Sequence, residues 1–266
     1  SRRARTLRFM DHLHRSLSPL TDAGWSEVAA EATRVLRQRL AGRKVVEFSA
    51  SGDWADSAVA LGRIGEATAL GEARLVPRLV APMVEVRVDF ALRRSELDAL
   101  DRGAQDMDTQ PIIAAAAAAA KAEDSLVFGG SGEAGLPGVA AASTQPELTA
   151  EGGIIAAVAG GIEALRDASV AGPYALALGP DLWVQAMAGS DRGYPVMSHL
   201  KLLLEGAEPV WAPSLDGALL VSRRGGDFAI RAGQDWSIGY DSHDAVEVNL
   251  YLQESLTVLV NTPEAA

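Results

Sequence analysis

The residues best suited to chemistry lie together near the C-terminus, in the stretch GQDWSIGYDSHD at positions 233–244. There His243 stands between Asp241, Ser242 and Asp244. A catalytic triad needs three residues that converge in space, and sequence neighbours rarely do so. The chain also has no GxSxG motif, which would present a serine nucleophile. This stretch therefore predicts a turn between two strands, with a solvated histidine, rather than a catalytic or metal site.

A second candidate is the run GSGEAG at positions 130–135, which matches the pattern GxGxxG. In dinucleotide-binding proteins this pattern follows a strand and opens a helix. Here it follows a predicted helix, so the context does not fit. The chain has no GxxxxGK[ST] motif either. Neither phosphate-binding signature supports a nucleotide cofactor.

The remaining metal-ligand residue types are sparse. His12 and His14 are two positions apart, which places them on different faces of a helix, and His199 stands alone. The chain contains no cysteine, so disulfides, zinc–thiolate sites, iron–sulfur clusters and cysteine nucleophiles are excluded. We therefore predict no catalytic residues, no metal site and no cofactor.

Composition further limits the classes of partner that the protein could bind. The 266 residues carry a formal net charge of −11, which argues against a nucleic-acid binder, because such proteins need a basic face. Hydrophobic residues make up 48% of the chain, enough for a sizeable core, although aromatics are only 5%. No run reaches the ~18 consecutive apolar residues of a membrane span, so no membrane partner is expected.

The elements that position these residues form an α+β mixture. Helices are predicted from apolar residues at 3.6-residue spacing, and strands from alternation. The alanine row at 114–120 predicts a slim helix that neighbours approach closely. The predicted helices run from Thr21 or Asp22 to Gly42, over 95–100, from Pro111 to Gly129, and over 154–167, 182–187 and 198–204; the strands are 44–48, 84–90, 174–178, 218–222 and 246–260, the last with a bulge near Glu254.

Residues 49–82 differ from the rest, being rich in Gly, Ala, Asp and Glu without a long period. Two interpretations are open: a disordered linker, or a long hairpin arm built from short apolar runs such as AVAL and RLVAP. An arm of this kind cannot bury its own apolar residues. It would therefore need a neighbour to lie on.

Several segments together resemble the encapsulins, bacterial shell proteins also described as linocin-like, of the family 1 type. The strongest match is RGGDFAIRAGQDWSIGY, and the number, order and spacing of all the segments make the resemblance specific. The matching segments are 10–25 (MDHLHRSLSPLTDAGW), 40–46 (LAGRKVV), 90–103 (FALRRSELDALDRG), 171–179 (AGPYALALG), 193–200 (GYPVMSHL), 224–240 and 248–257 (VNLYLQESLT).

The resemblance implies the fold of tailed-phage major capsid proteins, with a peripheral domain, an axial domain and an extended loop. Residues 1–48 would supply an N-terminal arm, a cargo-facing helix and the first strand of the peripheral domain. Residues 49–82 would form the extended loop, and 83–135 the peripheral domain with its spine helix. Residues 136–222 would form the axial domain, and 223–266 the return strands of the peripheral domain.

The implied function is assembly, not catalysis. About sixty copies would close an icosahedral shell. This cytoplasmic nanocompartment would enclose a cargo protein, either a dye-decolourising peroxidase or a ferritin-like protein, and so serve oxidative stress defence or iron storage. A short peptide at the C-terminus of the cargo would dock inside the shell. The alternative is a prophage major capsid protein that packages DNA, which the charge of −11 disfavours.

The resemblance also assigns residues to sites. The cargo peptide would contact Leu13 and Leu17 through apolar surfaces and Arg43 and Glu47 through polar groups, with Trp236 and Ile238 as an apolar floor. A loop at the five-fold vertex would line the shell's pore, with Asp191 and Arg192 setting ion selectivity. The residues of that loop are Ser190, Asp191, Arg192, Gly193 and Tyr194.

Two departures from the family pattern matter. Some members stack a flavin on a tryptophan in the segment FxLxxxELDxLxRG, but this chain has Ser95 at that position, so no flavin is expected. The nine residues before Met10 are also additional. An ordered arm, a misplaced start and a remnant of cloning are all open explanations. If they face the interior, their arginines would contact acidic cargo or a neighbouring subunit; these are Arg2, Arg3, Arg5 and Arg8.

Overall fold

The computed structural model describes residues 12–150 and 152–266, so the arginines predicted to form a basic arm lie outside the described residues. Within these ranges the chain forms both helices and strands. The helices are α1 (Asp22–Arg39), α2 (Gly42–Val45), α3 (Arg94–Asp101), α4 (Gln110–Gly129), α5 (Val139–Ala142), α6 (Ile154–Asp167), α7 (Pro180–Ala188) and α8 (Val196–Leu203).

The strands form several small sheets and one larger sheet. They are β1 (Glu47–Ala50), β2 (Ala58–Ile64), β3 (Thr68–Leu70), β4 (Ala73–Leu75), β5 (Arg78–Pro82), β6 (Val84–Arg93), β7 (Gly130–Ser131), β8 (Leu136–Pro137), β9 (Tyr174–Leu178), β10 (Ser190–Asp191), β11 (Tyr194–Pro195), β12 (Val210–Trp211), β13 (Ala218–Ser222), β14 (Phe228–Ala232), β15 (Ser237–His243) and β16 (Glu247–Val260).

The long strand β16 is the centre of the five-stranded sheet. Strand β6 pairs with it in antiparallel fashion along one edge, over residues 247–256 of β16. The other edge is shared by β15, which pairs with residues 248–253, and β14, which pairs with residues 256–260. Strand β1 then pairs with β14 in parallel fashion. One strand therefore connects every part of this sheet.

Helix α4 packs along the side of the sheet that the even-numbered residues of β16 face. It begins with Pro111 in its first turn, where the missing N–H costs nothing. Four of its alanines, Ala115, Ala116, Ala119 and Ala120, are buried, because the small side chains let α1 approach closely. The predicted slim helix is confirmed. No helix in the described part of the chain is long and apolar enough to cross a membrane.

Two apolar cores lie on this side of the sheet. The first joins α1 and the N-terminal half of α4 to Val248, Leu250 and Leu252 of β16. The second joins the C-terminal end of α4 to Leu256 and Val258 and continues into the three-stranded sheet β12–β9–β13 with helices α6 and α8. The side chains of β9 are all buried, so this strand is the centre of the second core.

Residues 58–82 form a hairpin arm, so the hairpin interpretation is confirmed and the disordered linker is wrong. Strands β2 and β5 pair in antiparallel fashion, and β3 and β4 pair near the tip. Seven large apolar side chains of the arm remain exposed in the single chain. They are Leu61, Ile64, Leu70, Leu75, Val76, Leu79 and Val80.

Three predicted elements differ from the structure. Residues 44–48 are not one strand, because Gly42–Val45 forms a helical turn and the strand begins at Glu47. The bulge near Glu254 is wrong, since the pairing of β16 with β6 is continuous past this residue; the irregularity lies between Tyr240 and Ser242 of β15. Strand β15 also continues to His243, so the turn comes later than predicted.

Candidate functional site

The N-terminal segment, defined as residues 12–17, lies along the outer edge of β15. The backbone N–H of Tyr240 donates to the carbonyl oxygen of Leu13 at 2.8 Å, and Arg15 Nε donates to the carbonyl oxygen of Ile238 at 2.7 Å. These bonds fix the segment against the sheet. The side chain of Leu17 remains 66% exposed, which leaves an apolar contact open to another molecule.

The same segment contacts the base of the arm. The rings of His12 and Trp54 stack with centroids 4.8 Å apart and an interplanar angle of 19°. His12 Nε2 also makes a 2.5 Å hydrogen bond with Oε1 of Gln234. Because Trp54 comes just before β2, the N-terminal segment and the arm are held together at this point.

Arg43 lies inside the subunit, where it joins α2 to three other parts of the chain. Its guanidinium bonds Glu123 on α4 at 2.7 and 2.8 Å and Glu254 on β16 at 2.6 Å. It also forms a 2.8 Å ion pair with Asp235, and it lies 3.9 Å from the centroid of the Phe48 ring. Burial would lower the pKa of Arg43, but the hydrogen bonds and charges of the carboxylates raise it.

Trp236 and Ile238 belong to the same side of the sheet as Arg43. The indole Nε1 of Trp236 donates to Glu123 Oε2 at 2.7 Å, which ties the residues before β15 to helix α4. Ile238 pairs with Leu252 across the sheet and is only 5% exposed, within the first apolar core. Its side chain is therefore a core residue rather than a surface.

Glu47 points to the opposite side of the sheet. It precedes Phe48 in β1, and successive side chains of a strand alternate between faces. Its carboxylate accepts a hydrogen bond from the backbone N–H of Gly226 at 3.1 Å and so braces the turn before β14. Glu47 itself is exposed.

The six predicted docking residues therefore do not form one surface. Arg43 lies on α2 and Ile238 on β15, and both side chains are largely enclosed within the subunit, so their docking role also stays a prediction. Leu13, Leu17 and Glu47 keep accessible groups, and the docking role of these three stays a prediction. Trp236 is half-buried, with its indole N–H already bonded.

The predicted pore loop forms an exposed hairpin at the edge of the second core. Strands β10 and β11 pair through Asp191 and Tyr194, and the two residues between them, Arg192 and Gly193, have φ of 49° and 84°. Positive φ at both positions is typical of a tight type I′ turn, which glycine favours. All five loop residues, from Ser190 onward, are exposed.

The residues considered for catalysis or metal binding instead make hydrogen bonds that stabilise the local structure. His243 Nδ1 makes a 2.5 Å hydrogen bond with the hydroxyl of Tyr240, and Asp244 Oδ1 accepts from the backbone N–H groups of Val246 and Glu247 in the turn. These backbone bonds hold the pKa of Asp244 below its usual range. Among the described residues no cluster of three or more His, Cys, Asp or Glu is arranged to hold a metal ion.

The pattern GxGxxG at 130–135 and Ser95 also lie in ordinary structural elements. The glycine run forms the β7–β8 hairpin after α4 and is not the strand-to-helix turn of a nucleotide site. Ser95 lies exposed in the first turn of α3. The absence of a flavin site stays a prediction.

Sequence reasoning missed three acids that the structure buries completely. Glu123, Asp124 and Glu254 are wholly buried. Burial raises the pKa of Asp124 to about 6, although its carboxylate accepts hydrogen bonds from the N–H groups of Ala41 and Gly42. A signal for Glu254 was present, because it continues the inward-facing alternation of β16 that was interpreted as interrupted by a bulge.

Comparison with solved structures defines the class of fold. A virus-like particle from Pyrococcus furiosus superimposes with a TM-score of 0.66, covering 91% of this chain and 97% of that chain at 13% identity. The capsid of an empty GTA particle superimposes with a TM-score of 0.54, covering 85% of this chain and 87% of that chain at 15% identity. The chain therefore has the fold of tailed-phage major capsid proteins.

Sequence comparison defines the family within that class. A family model described as "encapsulating protein for peroxidase" matches residues 10–257. A type 1 encapsulin shell protein of Rhodospirillum rubrum is 43% identical, covering 97% of this chain and 95% of the relative. One from Mycobacterium tuberculosis is 40% identical, with coverages of 97% and 98%. The chain belongs to the encapsulin family.

Proposed function

We propose that this chain is the shell subunit of an encapsulin nanocompartment, in which about sixty identical copies close an icosahedral shell. The observation that carries the proposal is the hairpin arm at 58–82, which projects apolar side chains that its own subunit does not cover. The exposed fraction of Ile64 alone is 65%. Together with membership of a family of shell proteins, this supports assembly with further copies of the same chain.

The shell would enclose a cargo protein in the cytoplasm. The description of the matching family model, an encapsulating protein for peroxidase, supports a dye-decolourising peroxidase, and a ferritin-like protein is the second cargo class. These cargoes would serve oxidative stress defence and iron storage. A targeting peptide at the cargo's C-terminus would bind near the N-terminal segment, where Leu13 and Leu17 offer apolar contacts against the edge of β15.

Small molecules would enter through the loop 190–194. The exposed side chains of Asp191 and Arg192 lie at the turn of this hairpin, where copies arranged about a five-fold axis would present rings of both charges. The subunit itself supplies no catalytic step. Its role is to admit small substrates and retain the cargo.

Cargo loading is tested by producing the chain together with a fluorescent protein that carries the C-terminal tail of a dye-decolourising peroxidase. Fluorescence should travel with the particles on size-exclusion chromatography, and a tail-less fluorescent protein should not. Replacing Leu17 by Ser should reduce loading, whereas replacing Leu148, another exposed leucine, should not. Equal loading with and without the tail would contradict docking by a targeting peptide.

A prophage capsid protein that packages DNA is the alternative function, favoured only by the structural similarity to phage capsids such as that of Mycobacterium phage Cain, with a TM-score of 0.54 at 13% identity. Such distant similarity shows the fold alone. The net charge of −11 opposes binding to phosphates. Purified particles should have the ultraviolet absorbance ratio of protein; a nucleic-acid spectrum that resists nuclease would favour the phage function.

A further inference from the structure

A polar layer separates the two apolar cores. On β16, Glu254 stands between Leu252, which belongs to the first core, and Leu256, which belongs to the second. On α4, Glu123 lies between the buried alanines of the first core and Val127 of the second. Both glutamates are 0% exposed. The helix and the sheet therefore meet through two carboxyl groups at the point where one core ends and the other begins.

The charges in this layer do not balance if both glutamates are ionised. Arg43 is the cation that both glutamates bind, at 2.7 Å for Glu123 and 2.6 Å for Glu254. Its guanidinium is shared with Asp235, which is half-exposed and 2.8 Å away. A buried carboxylate without a full counter-charge is strongly destabilising, so such groups take up a proton instead.

The hydrogen bonds show the same imbalance. Glu123 accepts from Arg43 and from the indole N–H of Trp236. For Glu254 only Oε1 is bonded to Arg43; Oε2 is buried, and no N–H or O–H group within residues 12–150 and 152–266 donates to it. The neighbouring acid Asp124 does not share this problem, because the backbone N–H groups of Ala41 and Gly42 at the start of α2 donate to it.

We propose that Glu123 and Glu254 hold a single proton between them in the folded chain, and that removal of this proton at higher pH loosens the junction between the two cores. A shared proton satisfies Glu254 Oε2 and leaves one negative charge opposite Arg43. When the proton leaves, two buried carboxylates repel each other across α4 and β16. The pair is thus a proton-sensitive connection between the helix and the sheet.

The direction of the pKa shift agrees with this geometry. Burial raises the pKa of Glu254 well above its usual 4.5, the charge of Glu123 raises it further, and the attraction of Arg43 does not offset them. Asp235 also raises it. These are the charged groups that face Glu254, since its partner on β6 is the apolar Val86.

The sign of the pH dependence follows from the protons bound. In the unfolded chain Glu254 releases its proton above its ordinary pKa of 4.5, whereas the folded pair keeps it. The folded state thus binds about one proton more, and the folding equilibrium constant falls about tenfold for each pH unit until the folded pair ionises. Asp124, with its pKa of about 6, adds a similar loss at lower pH.

The test compares thermal unfolding against pH for the full chain and for Glu254→Gln, from about pH 5 to about pH 9. Glutamine keeps the shape of the protonated acid, so the variant should lose much less stability than the parent as the pH rises. The matched control is Glu247→Gln, on the same strand but exposed, which should keep the parent profile. Parallel profiles for the parent and Glu254→Gln would overturn the proposal.

Two further measurements test the proposal if Glu254→Gln fails to fold. Glu123→Gln removes a charge from the other member, and its amide oxygen still accepts from Trp236, so it too should flatten the profile. Infrared spectroscopy of the unaltered chain at neutral pH should show the carbonyl band of a buried protonated carboxyl group, which disappears as the pH rises. Absence of that band would show that both glutamates are ionised and would overturn the proposal.

Discussion

Single residues set the geometry where helix α4 ends. Gly130 has φ of 70°, a conformation that side chains rarely adopt, and it starts the hairpin that returns the chain at Gly138. At Gly138 an added Cβ would lie 2.2 Å from the carbonyl carbon of Gly129, so the two backbones touch. Within the pattern GxGxxG, Gly130 is thus needed for a close turn and not for a phosphate.

We expect Gly138→Ala to destabilise the subunit by roughly 1–3 kcal/mol or more, because the obstacle is backbone and cannot rotate away. Gly132→Ala is the matched control, since the same change there meets open space. Urea unfolding followed by circular dichroism measures both free energies of unfolding. Equal stability of the two variants would show that the close approach at Gly138 is not a constraint.

At the scale of elements, the arm is the part of the subunit whose apolar side chains are least covered by contacts within the same chain. Among the described strands, β2 to β5 pair only with one another, and most of their large apolar side chains are exposed. The base is better anchored, because Trp54 stacks on His12 and the N–H of Ser51 donates to the carbonyl oxygen of Ala232 at 2.9 Å. An arm with a fixed base and an uncovered surface fits a contact between subunits.

Replacing Ile64 and Leu79 together by Ser should therefore leave the subunit folded and weaken assembly. Both side chains are exposed in the single chain, so little burial is lost on folding, whereas an interface would lose the roughly 25 cal/mol per Å² of apolar area that they bury. Val246→Ser, at an exposed turn, is the control. Light scattering measures particle formation. Unchanged assembly of the double variant would show that the arm does not contribute to the interface between subunits.

Local periodicity predicted the longer helices and several of the strands. The helix Ile154–Asp167 and the strands Tyr174–Leu178 and Ala218–Ser222 have the predicted limits, because each combines a regular apolar pattern with clear turn residues. Alternation also identified β16. Its acid at Glu254 was mistaken for a bulge, because a single-sequence pattern favours apolar residues inside and does not reveal a buried counter-charge.

The candidate site was less predictable because its contacts join distant parts of the chain. Arg43 and Glu254 are 211 positions apart, and nothing local indicates that they pair. The resemblance to encapsulins brought attention to Arg43, Trp236 and Ile238, but it did not show that the first bonds two buried acids or that the last lies in the core. Tertiary packing alone decides which polar side chains remain accessible.

For the whole molecule, the fold, the family and the exposed arm all indicate a subunit that completes its surface with further copies. Repeated contacts of one kind must either close or continue without limit, and capsid-type subunits close. The charge of −11 on each chain favours a soluble particle with a polyanionic surface. In the proposed shell the subunit would serve as a wall, and the exposed loop 190–194 would be the entry for small molecules.

The most direct measurement is size-exclusion chromatography of the purified chain followed by electron microscopy of the leading peak. We predict hollow, closed particles of uniform diameter and megadalton mass, and the same particles from a chain that begins at Met10. If both forms elute as monomers or small oligomers, the chain does not build a shell under these conditions, and the central claim is contradicted.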